Sequence, residues 1–574
     1  MSTCRRRLIG LASPLFLFVL LGCSSRPPES TPPAESEAKA DGPDWFVDIT
    51  ERSGVRFHHD AGAIEKHLMP QIVGSGCAVH DFDGDSRVDL LLLNNGGPGS
   101  PHRNAVYRQR SDGTFEDVSR GSGLEFSDYC MGVAIADVDR DGRPDILITA
   151  YLRTRLFRNL GGMKFEDISE AAGIRNAQWG SSAAFLDYDK DGHQDAFVLN
   201  YVAYDPSWEC RSKTKTLDYC SPSNFAGTSA RLFRNLGPSP DGVIRFEDVS
   251  LRTRISDVPG PGLGVAVADL DGNGWPDIFV ANDGKPNRLW MNRGDGTFKD
   301  ESVSRGVALT NMGEAFAGMG VALGDFNNDR LPDLYVTHLG VETNTLWLQD
   351  RRGYFQDRTH RSGLASSKWR GTGFGVVTED FDRDGFLDLA VANGRVKRES
   401  DALGPDHWSP YAERHQVFRN LGNGQFKDLS ANIRSICGMP SVGRGLASGD
   451  FDNDGAQDLL LTTAGGEARL YRNVCPESGH WLGVHAIDPA LNGPSLGAVV
   501  DLKHGGRTQT RLVSTCLSYL SAGPASVHFG LGDSTAVESL IVAWPNGSRE
   551  SFPVPGVDRY LRIEKGSGRP ERTP

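Results

Sequence analysis

Asp137-Val-Asp-Arg-Asp-Gly-Arg-Pro-Asp145 packs four carboxylates into nine residues, at positions 1, 3, 5 and 9. The glycine at position 6 allows a sharp bend with positive φ. Before the loop runs Gly132-Val-Ala-Ile-Ala136 and after it Ile146-Leu-Ile-Thr149, so the segment reads strand, tight loop, strand. Carboxylates at alternate positions turn toward one point, position 7 can add its carbonyl, and the last Asp closes the shell. Such an oxygen-only cage suits calcium and not zinc or copper. An EF-hand opens similarly but needs a glutamate at position 12 and flanking helices, and neither is present here.

The pattern occurs seven times, with starts 50 to 82 residues apart. The candidate ligands are Asp81, Asp83, Asp85 and Asp89 in the first loop, and Asp137, Asp139, Asp141 and Asp145 in the second. The third has Asp187, Asp189, Asp191 and Asp195, and the fourth Asp269, Asp271, Asn273 and Asp277. The fifth has Asp325, Asn327, Asp329 and Asp333, and the sixth Asp380, Asp382, Asp384 and Asp388. The seventh has Asp450, Asp452, Asp454 and Asp458. Solvated acidic turns are the bland alternative, but four close carboxylates resist ionisation without a cation, and seven copies exclude chance. Up to seven Ca²⁺ ions are expected. The first loop (Gly84, Ser86) and the fifth (Asn327, Arg330) depart most from the pattern and are expected to be weak or empty.

A second phrase alternates with the loops: Phe-x-Asp, then an aliphatic residue in most copies, then Ser or Thr. It begins at Phe115, Phe165, Phe246, Phe298, Phe355 and Phe426, often after a strand such as Arg155-Leu-Phe-Arg-Asn159. Each period therefore holds about four short strands, the content of one propeller blade. A seventh copy, Phe46-Val-Asp-Ile-Thr50, precedes the first loop, and none follows the seventh loop. The offset predicts an all-β, seven-bladed β-propeller over residues 44–475, its last blade completed by the N-terminal strand, which leaves no open edge.

These loops resemble the FG-GAP or VCBS-type repeats of integrin α-subunit propellers and bacterial surface proteins. Residues 476–565 lack acidic loops and resemble the ASPIC/UnbV domain, through His480-Trp-Leu482, Gly497-Ala498, Gly505-Gly-Arg507, His528-Phe-Gly-Leu-Gly532 and Trp544-Pro-Asn-Gly547. A propeller followed by this small β domain is the arrangement of the cartilage acidic protein family. The resemblance implies an exported calcium-binding protein and supplies no reaction. Residues 566–574 form a polar tail.

The N-terminus reads as a processing signal, residues 1–22. Arg5, Arg6 and Arg7 precede the apolar run Leu8 to Leu21, too short to span a bilayer. Leu20-Leu-Gly-Cys23 resembles the lipobox of bacterial lipoproteins, which implies acylation of Cys23 and anchoring at the cell surface or outer membrane. The alternative is an ordinary secretory signal cut near Gly22. Residues 23–43, rich in Ser, Pro, Glu and Ala, read as a disordered tether. Losing the three arginines takes the net charge from −13 to −16. That balance argues against a nucleic-acid partner, and seven Ca²⁺ would bring it to about −2.

Cys210 and Cys220 share one insertion and are expected to pair; Cys77 and Cys130, before consecutive loops, can also pair. Cys437, Cys475 and Cys516 leave an odd thiol. Two insertions lengthen the repeat: 201–229, with Tyr204, Trp208, Tyr219 and Phe225, and 395–415, with His407, Trp408 and His415. Binding usually resides in such loops. The histidines at 58, 59, 67 and 80 read as structural. The sequence has no His-Glu-x-x-His, Gly-x-Ser-x-Gly or phosphate loop. The expectation is therefore a binding or adhesion module for an extracellular protein or glycan. The alternative is an extracellular enzyme acting on polysaccharide or another polymer.

Overall fold

The computed structural model describes residues 42–571 except 213–214, 240–241, 368, 399–404 and 477; the signal, Cys23 and nearly all of the tether lie outside these residues. The described chain is all-β, with helices of single-turn length. Seven antiparallel modules each pair four strands in consecutive order, and an acidic loop joins strands one and two. The second module runs Cys130–Ala136, Asp145–Ala150, Arg153–Gly161 and Lys164–Asp167. Its first two strands are buried at every position, as strands packed on both faces must be.

The seven first strands are Cys77–His80, Cys130–Ala136, Gly180–Leu186, Gly262–Ala268, Val321–Gly324, Gly373–Glu379 and Gly443–Gly449. Each neighbours the next, and Gly443–Gly449 also neighbours Cys77–His80. Glycine permits this approach: a Cβ on Gly264 would lie 2.1 Å from the Met319 carbonyl oxygen, and one on Gly320 2.0 Å from that of Phe374. In the seventh module the fourth strand is Phe46–Asp48, which pairs antiparallel with Arg469–Asn473, Phe46 opposite Asn473.

The Phe-x-Asp phrase fastens strand four to strand three. The phenylalanine is buried. The aspartate accepts the N–H of the Ser or Thr two residues on, whose hydroxyl oxygen accepts a strand-three N–H in every copy but the fourth module's, where Leu289 N–H donates to Asp300 instead. In the third module Ser250 N–H donates to Asp248 (3.0 Å) and Leu232 N–H to Ser250 Oγ (2.9 Å). Thr50 Oγ1 does the same for Leu470 N–H (2.9 Å).

A further contact links modules and was not foreseen. Asn159, ending the Arg-Leu-Phe-Arg-Asn strand, donates its side-chain amide to the Phe82 carbonyl of the preceding module (2.9 Å). Asn235, Asn292, Asn420 and Asn473 do likewise to Val138, Tyr188, Phe326 and Phe381.

The C-terminal region forms two sheets around one apolar core that includes Leu482, Val500, Phe529 and Val542. It is more than an appendage. Residues 514–523 leave it as a hairpin that enters among the modules. Ala522 pairs with Ala78. Leu520 accepts from Val133 N–H and donates its own N–H to Ser182 Oγ. Cys516 Sγ donates to the Val265 carbonyl (3.4 Å), Ser518 bridges to Val321, and Val376 N–H donates to Ser518 Oγ (2.8 Å). The Ser521–Ala522 strand also neighbours Gly443–Gly449. One hairpin thus touches the first strand of all seven modules. Tyr519, fully buried, donates its hydroxyl to the Val73 carbonyl (3.1 Å).

Cys210 and Cys220 form a disulfide. Cys77 and Cys130 do not pair; both are free and buried. Each points to a different apolar layer. Cys77 lies in the core shared with the seventh module, and Cys130 in the core between the first and second.

Candidate metal centres and an aromatic face

All seven loops close in one way. The first Asp accepts the N–H of position 6, as Asp137 Oδ2 does from Gly142 (2.8 Å). The fifth accepts the N–H of position 7, as Asp141 does from Arg143 (3.0 Å). The ninth accepts position 2 and a strand-three N–H: Asp145 takes Val138 (2.9 Å) and Asn159 (2.8 Å). Position 6 is left-handed throughout, with φ 86° at Gly142 and 97° at Gly385. Ser86 (φ 65°) and Arg330 (φ 73°) hold the same conformation despite their side chains.

Sequence reasoning missed the charge partner of these loops. The arginine before the clasping Asn reaches back to position 3: Arg158–Asp139 at 2.6 Å, Arg234–Asp189 at 2.5 Å, Arg419–Asp382 at 2.6 Å and Arg472–Asp452 at 2.5 Å. Arg108 serves Asp83 at 2.6 Å, and Arg305 serves Asp271 at 3.2 Å from the helical turn Ser302–Arg305. In the fifth loop Asn327 donates to Asp329 (2.9 Å), and Arg330 turns away to Asp501 of the C-terminal domain (2.8 Å).

Burial pushes the first or last carboxyl of several loops up. Asp89 and Asp137 rise to about 7, Asp277 to about 8 and Asp195 to about 9, with desolvation the largest cause and neighbouring aspartates adding to it. In at least five loops three carboxylates offer oxygens within 4.8 Å of one another: Asp81, Asp83 and Asp85; then Asp137, Asp139 and Asp145 and their equivalents at 187, 269 and 380. Asp83 Oδ1, Asp187 Oδ1, Asp189 Oδ1 and Asp380 Oδ1 are buried without a hydrogen-bond partner. Orphaned carboxylate oxygens in a close all-oxygen set fit a hard cation. The aspartate clusters can therefore hold a metal ion, the first loop included.

The C-terminal domain meets the loop ends of the later modules. Gly530 N–H donates to Asp380 (3.1 Å) and Tyr560 O–H to Asp450 (2.9 Å). At the other end of the first strands the two insertions converge, which spacing alone could not show. Tyr219 O–H lies 3.0 Å from His407 Nε2, Tyr411 donates to Asp218 (2.7 Å), and the His67 and His407 rings are 5.1 Å apart. Burial lowers His407 to about 4, so both imidazoles are neutral at physiological pH. Beside them Trp179, Tyr151, Tyr204 and Phe225 pack edge to face in that order, ending in Trp208, 56% exposed. His415, His59 and His80 are buried, hydrogen-bonded structural groups.

Repeats with acidic strand-to-strand loops and a two-sheet C-terminal domain define an FG-GAP-type repeat protein with an ASPIC/UnbV domain. The FG-GAP-like repeat model matches residues 81–148, 141–198 and 269–336, which contain the first five loops, and the ASPIC and UnbV model matches 488–570. Cartilage acidic protein 1 of Homo sapiens is a homologue, 30% identical over 323 residues, covering 54% of this chain and 44% of its own length. The Mus musculus protein is 29% identical over 326 residues, covering 54% and 46%. The chain thus matches about half the length of these relatives. Among solved structures, an Agrocybe aegerita lectin that recognises non-reducing terminal N-acetylglucosamine is 16% identical, covering 68% of this chain and 85% of its own, with a TM-score of 0.37. BBS1N in complex with ARL6DN is 11% identical, covering 76% and 99%, with a TM-score of 0.38.

Proposed function

We propose that the chain is an exported, lipid-anchored, seven-bladed β-propeller, loaded with up to seven calcium ions, that acts as a surface binding or adhesion module for a protein or glycan. The cyclic order of the first strands and the single hairpin touching all seven support the closed ring. The orphaned carboxylate oxygens support calcium, and the Cys210–Cys220 disulfide fits an oxidising compartment. No helix among the described residues is long and apolar enough to cross a membrane; the anchor rests on Cys23.

The observation that carries the binding role is the aromatic face, where two insertions meet around Tyr219 and His407, 188 residues apart, and present Trp208 to solvent. Exposed aromatics on a rigid base stack on sugar rings or anchor protein partners. The test is a glycan array and a hydrolase and lyase screen, run together on the purified ectodomain. Binding without turnover, weakened at least tenfold in Trp208→Ala, is the expected result. Polymer cleavage that Trp208→Ala leaves unchanged would replace the module with an enzyme.

A further inference from the structure

Between the loop ends of the fourth to sixth modules and the C-terminal domain lies a cavity of about 580 Å³. That volume is typical of small-molecule sites. One wall is apolar: Val265, Val321 and Val376 on the first strands face Leu512 of the C-terminal domain. The other carries Arg511, only 8% exposed. Its Nη1 donates to the Thr510 carbonyl (3.1 Å) and its Nη2 to Gln509 Oε1 (2.9 Å), while the Phe529 ring lies 5.5 Å away. Nε has no hydrogen-bond partner, and among the described residues no carboxylate lies within ion-pair distance of this guanidinium. Arginine stays charged, so a buried one with no carboxylate in direct contact is a costly arrangement.

Asp380, Asp325 and Glu379 act on Arg511 only from beyond ion-pair distance, and Asp380 already accepts from Gly385 and Gly530. Asp501 is shared between Arg330 (2.8 Å) and Arg549 (3.2 Å). Glu379 accepts from Ser448 (2.6 Å), and Asp269 and Asp325 belong to the acidic loops. Two further polar groups on the wall are unmet. Thr378 Oγ1 has no partner, and His528, beside the Gly455 carbonyl, leaves a ring nitrogen without one. A buried cation, a free hydroxyl and a free imidazole nitrogen thus line a space that valine and leucine wall on one side.

We propose that this cavity binds a small organic carboxylate, its head accepting from Arg511 and its apolar body lying along the first strands. The site is independent of the aromatic face, and its ligand need not be the partner bound there.

Isothermal titration of the full chain with octanoate, 1-octanol and octylammonium tests this. Octanoate should bind saturably at one per chain, at least tenfold tighter than octanol, and octylammonium should not bind. Arg511→Gln should weaken octanoate at least tenfold. Leu323→Trp fills the cavity from the module side with Arg511 intact and should abolish binding; melting curves show that each variant is folded. The proposal fails if wild type shows no saturable octanoate binding, if octanol binds as well, or if either folded variant binds unchanged. The comparison of wild type with the three probes decides the matter even where a variant does not fold.

Discussion

The side-chain amide of Gln109 donates to the carbonyl of Phe451 at 2.6 Å, across 342 residues of sequence. It occupies in the first module the position that Asn159 holds in the second, and Phe451 is the second residue of the seventh acidic loop. The clasp that joins each of these modules to the one before it thus also joins first to last. Both partners are buried, so neither can turn to water instead.

Gln109→Ala leaves the Phe451 carbonyl unpaired in the core and should cost about 1–3 kcal/mol. Gln356→Ala, at an exposed position, should stay within about 0.5 kcal/mol of wild type. Urea denaturation measures both; equal midpoints would mean that the clasp contributes nothing.

Deleting 45–50 removes the fourth strand of the seventh module together with buried Trp45 and Phe46. Large aromatic side chains lost from a core cost about 3–5 kcal/mol each, and the freed edge invites aggregation. Deleting 24–43 should leave the melt nearly unchanged, which controls for shortening. Indistinguishable melts would show that the N-terminal strand does not hold the module together.

With calcium in the acidic loops as proposed, stability should depend on pH and calcium together. Folded Asp89 and Asp137 titrate near 7 against 3.8 for an ordinary aspartate. Between these values the folded state holds more protons than the unfolded, so chelated protein should lose stability as pH rises from about 4 to 7. Calcium competes with those protons, so the melting temperature gained with millimolar calcium should be small at pH 5 and grow toward pH 7.5. A gain of the same size at both pH values, or none, counts against metal at these carboxylates.

Tyr519→Ala empties the tip of the inserted hairpin and leaves the Val73 carbonyl unpaired, an expected loss of about 3–5 kcal/mol. Tyr519→Phe keeps the edge contact with Phe374 and should lose about 1–2 kcal/mol. If both variants match wild type in thermal denaturation, the hairpin is a passenger.

Cys23→Ser should move the protein from the membrane to the soluble fraction, since the lipobox-like Leu20 to Cys23 is the motif for an anchor. Fractionation unchanged from wild type would leave an uncleaved or ordinary secretory signal as the explanation.

The repeat phrases were legible because each performs a local task. Asp-x-Asp-x-Asp-Gly folds onto its own backbone, and Phe-x-Asp-x-Ser closes its own sheet. The final Asn of Arg-Leu-Phe-Arg-Asn was visible but mute, because its acceptor lies in another module. The arginine beside it was equally visible; its pairing with position 3 becomes apparent only once strand three lies beside the loop. Leu517 to Ala522 resembled any turn of a small β domain, and nothing in its composition says that Tyr519 ends against Val73. The Cys77–Cys130 expectation failed because adjacency of modules does not say which layer each side chain faces.

The inserted hairpin also sets an order of events. Ribosomes deliver Cys77–His80 long before Ser518 to Ala522, yet these segments lie side by side, Ala78 opposite Ala522. Until the last hundred residues emerge, the inner surfaces of seven modules wait uncovered, with only local loops to steady them. Contacts of such sequence separation form late and slowly. Assembly of this molecule is therefore gated by its C-terminus: a nascent chain halted before Leu520 should be cut readily by protease, and one extended past the hairpin should resist.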